Sequence, residues 1–293
     1  MHDTRRGFVY ALGSAISAGA ISALSKALLA GMKPLVISGL VFLLAGLVLL
    51  PYRPRQIPGK RSAAWMLATG FLGAALAPSL YLIGLDQTSA VNASLLNNTE
   101  VFFTALIAFA IFKETLKRNQ FLEGILVVAG VVVVATNLDL SAIQQGAGLA
   151  GNLLVIGASF VWAIDNNLSR ITSQKFGPLF VSKFRNLVGG GLVMAYLVVI
   201  AQPIVVPIGS LPLLVALTAV IVSATVLFMA ALVRIGAVRS LLVFSSASIF
   251  GSLFAVALLG EAITPVQLAG GALILSGVYL IQRSEGTPEI LNS

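Results

Sequence analysis

The chain has 293 residues, 58% of them hydrophobic and 10% charged, with a mean hydropathy of +1.01; a soluble domain carries about 25% charged residues, so a soluble globular protein is excluded. With no cysteine and a single histidine, His2 in the N-terminal tail, the sequence also excludes disulfides, thiolate zinc sites, iron–sulfur clusters, cysteine nucleophiles and a histidine general base. No catalytic residue, cofactor or metal site is expected, and the excess of 18 basic over 10 acidic residues has to be read from where the charges fall.

A helical span takes about 20 apolar residues. Stretches of that kind are predicted at residues 7–29, 34–51, 63–85, 90–112, 119–136, 148–171, 178–201, 211–235, 238–259 and 264–283. Turn formers and charges separate them: Lys33-Pro34, the run from Tyr52 to Arg61, Lys117-Arg118, Gly177-Pro178, Pro203 with Pro207, and Thr264-Pro265. Ten spans leave no room for a further soluble domain. An N-terminus placed in the cytoplasm puts sixteen of the eighteen basic residues on that side, leaving only Lys26 and Lys33 outside. The positive-inside rule therefore predicts an N-in, C-in chain, and the basic balance calls for no nucleic-acid partner.

The sequence repeats internally. Setting Glu114 against Glu261, an offset of 147, aligns residues 90–134 with 237–281 without a gap, and pairs Gln120 with Gln267, Gly124 with Gly271 and Gly130 with Gly277. At an offset of 144, Leu24-Ser25-Lys26 meets Leu168-Ser169-Arg170, and Pro34-Leu35 meets Pro178-Leu179. Residues 1–140 and 148–285 are thus expected as two five-helix repeats, with 286–293 a short cytoplasmic tail. Five is odd, so the copies must lie in opposite orientations. Inverted repeats of this kind build secondary transporters, with the substrate site near the midplane where the copies meet.

The stretch Leu259-Gly260-Glu261-Ala262-Ile263-Thr264-Pro265-Val266-Gln267-Leu268 and its continuation to Val278 resembles the closing signature of EamA domains in the drug/metabolite transporter superfamily. Asn97 to Leu106 with Phe112-Lys113-Glu114 resembles the first domain's version, with Val101 where a proline is frequent. The resemblance implies an all-α membrane protein of ten transmembrane helices that moves a small-molecule solute and often exports it. Amino-acid exporters, aromatic ones included, are prominent among the bacterial members, which implies the bacterial inner membrane, a lipid bilayer as surroundings and no obligate protein partner.

Polar groups at bilayer depth mark either a packed interface or a water-filled path. Span 4 carries Asn97, Glu100 and Thr104 on one helical face; Glu100, near mid-span, lines a cavity or serves as hydrogen-bonding glue. Span 6 presents Ser159, Trp162, Asn166 and Ser169 in one stripe with Asp165 beside it, and Trp162 lies too deep for an interfacial belt. In span 9, Ser245, Ser248 and Ser252 share a face next to Phe244, and Tyr81 follows Pro78 in span 3. The expected central cavity therefore comprises Tyr81, Asn97, Glu100, Trp162, Asp165, Asn166, Phe244, Ser245 and Ser248. Glu114 and Glu261 close equivalent spans on opposite faces and, with Lys26 and Arg170, are expected at helix ends or gates. Arg185 lies deeper than a snorkelling residue needs to, and the sequence assigns it no role.

Three motif matches are set aside. Gly146 to Gly151 reads GxGxxG, but a span and not a strand precedes it. Thr4-Arg5-Arg6 has the look of a twin-arginine signal, yet span 1 has a repeat mate in span 6. Asn92-Ala93-Ser94 and Asn97-Asn98-Thr99 are sequons placed in or against the bilayer. The sequence thus predicts an exporter of amino acids, aromatic ones included, working by alternating access; the alternative is a proton-coupled exporter of other metabolites or of cationic drugs, with Glu100 and Asp165 as counter-ions for the latter.

Overall fold

The computed structural model describes residues 2–112, 118–138, 148–235 and 237–285. Among the described residues every regular element is helical. In chain order these are α1 (His2–Leu29), α2 (Pro34–Val48), α3 (Lys60–Phe71), a π-helical segment (Leu72–Leu76), α4 (Ala77–Asp86), α5 (Ala90–Asn97), α6 (Thr99–Phe112), α7 (Arg118–Thr136), α8 (Leu149–Phe176), α9 (Pro178–Val199), a 3₁₀ turn (Ile208–Ser210), α10 (Leu211–Ile235), α11 (Ala237–Phe244), α12 (Ala247–Leu259) and α13 (Pro265–Glu285).

Local chemistry sets the joints. Gly177, at φ 91°, ends α8 and starts α9, with Pro178 at the first helical position where its missing N–H costs nothing. Lys33-Pro34 opens α2 in the same way. Ser89 caps α5, its hydroxyl accepting from the Asn92 N–H at 3.0 Å. Four continuous helical stretches are long and apolar enough to cross a membrane: Thr4–Leu29, Lys60–Asp86, Leu149–Phe176 and Ile208–Ile235. Shorter apolar helices, Pro34–Val48, Leu122–Thr136, Ala247–Leu259 and Pro265–Ile281, run beside them. The outside of the bundle is apolar, with Val199 82% and Val233 84% exposed, as lipid contact requires.

Two predicted spans are not single helices. Residues 90–112 divide into α5 and α6 around Asn98, and 238–259 falls within α11 and α12, which part at Ser245-Ser246. Offset by 147, Asn98 and Ser245 are the same repeat position, so the break recurs. At each break the backbone turns through bonds spanning three residues, from the Asn98 N–H to Leu95 O and from the Ser246 N–H to Val243 O. At the first break the Asn98 side chain donates to Ser248 Oγ at 2.6 Å across the copies.

The helices pair across the repeat. α1 packs on α10 and α12, while α8 packs on α4 and α6; α2 packs on α9, and α7 on α13. Each pairing is either its own mate or is matched by the mate's pairing, which is the pattern that a two-fold exchange of the copies produces. Close approach on α7 and α13 follows the same rule. A Cβ on Gly130 would lie 2.6 Å from Gly270 O, and one on Gly277 would lie 2.8 Å from Glu123 O; Glu123 and Gly270 are themselves 147 apart.

Gly130→Ala should therefore force α7 and α13 apart and cost about 1–3 kcal/mol, read as a lower melting temperature in detergent. Gly157→Ala, where a Cβ meets nothing within 4 Å, should leave the melting temperature unchanged or raise it.

Candidate functional site

The site is assembled around a widened turn. Ala77 N–H bonds back five residues to Leu72 O, and in that register the next donor would be Pro78, which has no N–H. The Gly73 carbonyl is thus left without a helical partner, and Trp162 Nε1 of α8 donates to it at 3.0 Å. With its nitrogen engaged, Trp162 offers only its ring, which meets the buried Tyr81 at a centroid distance of 5.5 Å and a tilt of 50°. Gly73 is the residue this packing permits, because a Cβ there would collide with the Asp165 carboxylate.

One turn of α8 then carries two carboxylate arrangements. Asp165 is fully buried; its Oδ2 lies 2.7 Å from Arg185 Nη1 of α9, and its Oδ1 accepts from Ser169 Oγ at 3.1 Å. The Arg185 side chain is 22% exposed, so the guanidinium is the open pole of the pair and the carboxylate the closed one. Asn166, the next residue, points to α6, where its Nδ2 donates to Glu100 Oε1 at 2.7 Å and lies 3.3 Å from Thr104 Oγ1. Asn167 adds bonds from Nδ2 to Thr104 O at 3.1 Å and Ala163 O at 2.9 Å. Asp165 is therefore matched by a cation, whereas Glu100, half-buried on the wall between α6 and α8, is matched by an amide. Two shallow hollows, about 300 Å³ beside Arg5 and Tyr10 and about 430 Å³ beside Leu275 and Tyr279, share no residue with this cluster.

A second polar network joins the two copies at the bundle end that carries Gln87 and Gly260. Glu261 accepts from the Ala90 and Val91 N–H groups at 2.8 and 2.9 Å, binding both oxygens to the N-terminus of α5. Gln267 Nε2 donates to Asn92 Oδ1 at 2.7 Å, and Thr88 Oγ1 donates to Asn152 Oδ1 at 2.6 Å. Lys26 Nζ donates to the carbonyls of Leu85, Asp86 and Thr88 at 2.8, 3.1 and 2.8 Å, where the dipole of α4 ends.

Of the residues expected in a central cavity, the fold brings Tyr81, Glu100, Trp162, Asp165 and Asn166 together. Asn97 lies a turn away, its Oδ1 3.5 Å from Ser159 Oγ. Phe244 packs instead on Phe228 of α10, ring centroids 5.1 Å apart; Ser245 is buried, and Ser248 accepts from Asn98. Arg170 is exposed, and Glu114 lies outside the described residues. Sequence reading missed the Arg185 partner, Asn98, Asn167 and the role of Gly73; Pro78 was the one local signal for the widened turn.

The apolar helical bundle is that of an integral membrane protein, and comparison with known proteins gives the family. The model of the EamA-like transporter family matches residues 5–136 and again 149–283; the chain belongs to that family, with two copies of its domain. It is 30% identical to an uncharacterized transporter of Methanothermobacter thermautotrophicus over 94% of this chain and 85% of that one. It is 26% identical to a probable amino-acid metabolite efflux pump of Salmonella typhimurium over 85% of each. A solved structure at 18% identity superposes with a TM-score of 0.62 over 94% of this chain and 98% of its own, which shows a shared fold.

The ion pair makes a stability prediction. Arg185→Ala leaves the buried Asp165 carboxylate without a cation and should cost about 3–5 kcal/mol. The double variant Arg185→Ala, Asp165→Ala removes both charges and should recover most of that loss, measured as melting temperatures in one detergent.

Proposed function

We propose that this protein exports amino acids, aromatic ones preferred, across the inner membrane by alternating access of two inverted five-helix copies with the N-terminus in the cytoplasm. The observation that carries the reading is Glu100, a half-buried carboxylate at mid-span held by an amide and, among the described residues, in no ion pair, beside the Trp162–Tyr81 ring pair. A substrate ammonium supplies the missing positive charge, and the rings supply stacking area for an aromatic side chain. The two-fold pattern of helix pairing supports the inversion. The neighbouring of Arg234 with Tyr10 and of the Arg55 N–H with Phe176 O, 3.2 Å apart, gathers basic segments at one end and supports the orientation. The relative described as a probable amino-acid metabolite efflux pump supports the solute class.

In this reading the Glu261, Gln267, Asn92, Thr88, Asn152 and Lys26 network is the outer gate, and it is closed. Opening exchanges its bonds for water, since each is a hydrogen bond at a helix end and not a packed apolar contact. The sequence has no ATP-binding motif, so the driving force is the solute gradient or an ion gradient. Glu100 also fits the cationic-drug alternative, in which the solute carries a positive charge and no carboxylate.

Counterflow decides between them. Proteoliposomes preloaded with unlabelled phenylalanine should accumulate labelled phenylalanine and tryptophan saturably, and exclude a labelled quaternary ammonium dye. Preferential exchange of the dye would assign the protein to drug export, and unsaturable flux would make it a channel.

A further inference from the structure

We propose that Arg185 is the receptor for the substrate carboxylate, so that the site reads both ends of a zwitterion: ammonium at Glu100, carboxylate at Arg185. The inference rests on the amino-acid reading above and deepens it. A guanidinium carries five N–H donors in a fixed fork. In this structure Nη1 is held by Asp165, while Arg185 Nε is buried without a hydrogen-bond partner. A buried donor left unsatisfied is costly and rare in folded proteins. Its presence on a partly exposed arginine at membrane depth points to an acceptor that arrives from outside the chain.

The surroundings fit an anion of carboxylate shape. Asp165 is fully buried behind the guanidinium and is fixed by Ser169, so it offsets the cost of burying the cation and sets the orientation of the fork without occupying its open side. Asp165 and Asn166 are consecutive on α8 and face different neighbours. The helix therefore holds the cationic pole on its α9 side and the anionic pole on its α6 side, with Trp162 one turn before them. Glu100 and Arg185 are joined to consecutive residues of α8, Glu100 to Asn166 and Arg185 to Asp165. A solute with an ammonium, a carboxylate and an aromatic ring bridges these three features, whereas an amine satisfies two of them and leaves the Arg185 donor empty.

The test compares phenylalanine with phenethylamine, which lacks the carboxylate, and 3-phenylpropionate, which lacks the ammonium, by binding to the purified full-length protein. The wild type should bind phenylalanine at least tenfold more tightly than phenethylamine, and 3-phenylpropionate should compete with it. Arg185→Gln should weaken phenylalanine toward the phenethylamine value and abolish competition by 3-phenylpropionate. Because that variant strands Asp165, the pair Arg185→Gln, Asp165→Asn is measured beside it. Equal affinity of the wild type for phenylalanine and phenethylamine would overturn the role of Arg185 without any variant. Loss of all three ligands in folded variants would do the same by making the residue structural. Failure of the wild type to bind phenylalanine at all would instead refute the amino-acid reading on which the inference stands.

Discussion

A charged side chain in hydrocarbon has to be matched, and the way this bundle matches its two mid-span acids organises everything around them. Asp165 receives a cation from the neighbouring helix and disappears from the surface. Glu100 receives an amide and stays on a wall. Centred charges cost about 2.5–3.5 kcal/mol on insertion scales, and the proposed solute-binding role rests on the one of these two acids that is left on a half-open face. The widened turn at Leu72–Leu76 packs on the same stretch of α8, where Trp162 donates to the Gly73 carbonyl and the bare Gly73 leaves room for the Asp165 carboxylate.

The second organising fact is the exchange of the copies. The pairings of α1 with α10 and α12 are repeated by those of α8 with α4 and α6, the break at Asn98 recurs at Ser245-Ser246, and the contact of Gly130 on Gly270 returns as Gly277 on Glu123. An arrangement built from two interchangeable halves has two equivalent ways to pack, related by swapping their conformations, and alternating access needs two such states of nearly equal free energy. The polar network around Glu261 closes one end with bonds that water can replace.

Much of this was legible in the residues. Apolar runs report the helices because hydrocarbon thickness and backbone satisfaction leave few alternatives. The Gly130 and Gly277 pair at the 147 offset was informative because a residue at a close helix crossing cannot vary freely. Arg185 was not legible, since its partner Asp165 sits twenty residues earlier on another helix, and only the rotation of α8 against α9 brings them together. Phe244 was assigned to the cavity by proximity in sequence to the serine face, but which of two flanking helices a ring leans on is decided by packing, and it leans on Phe228. The widened turn before Pro78 was not read from the sequence, and the donor to its Gly73 carbonyl, Trp162, comes from the other copy.

The most direct measurement of the central claim is phenylalanine counterflow by Glu100→Gln, which keeps the shape and the Asn166 contact but removes the charge. A charge-assisted bond to the substrate ammonium contributes about 1.5–3 kcal/mol, so exchange at subsaturating phenylalanine should fall roughly tenfold or more while the protein remains folded and monodisperse. Exchange at the wild-type rate in a folded Glu100→Gln variant would contradict the account, because the one mid-span carboxylate without a cation would then play no part in carrying the solute.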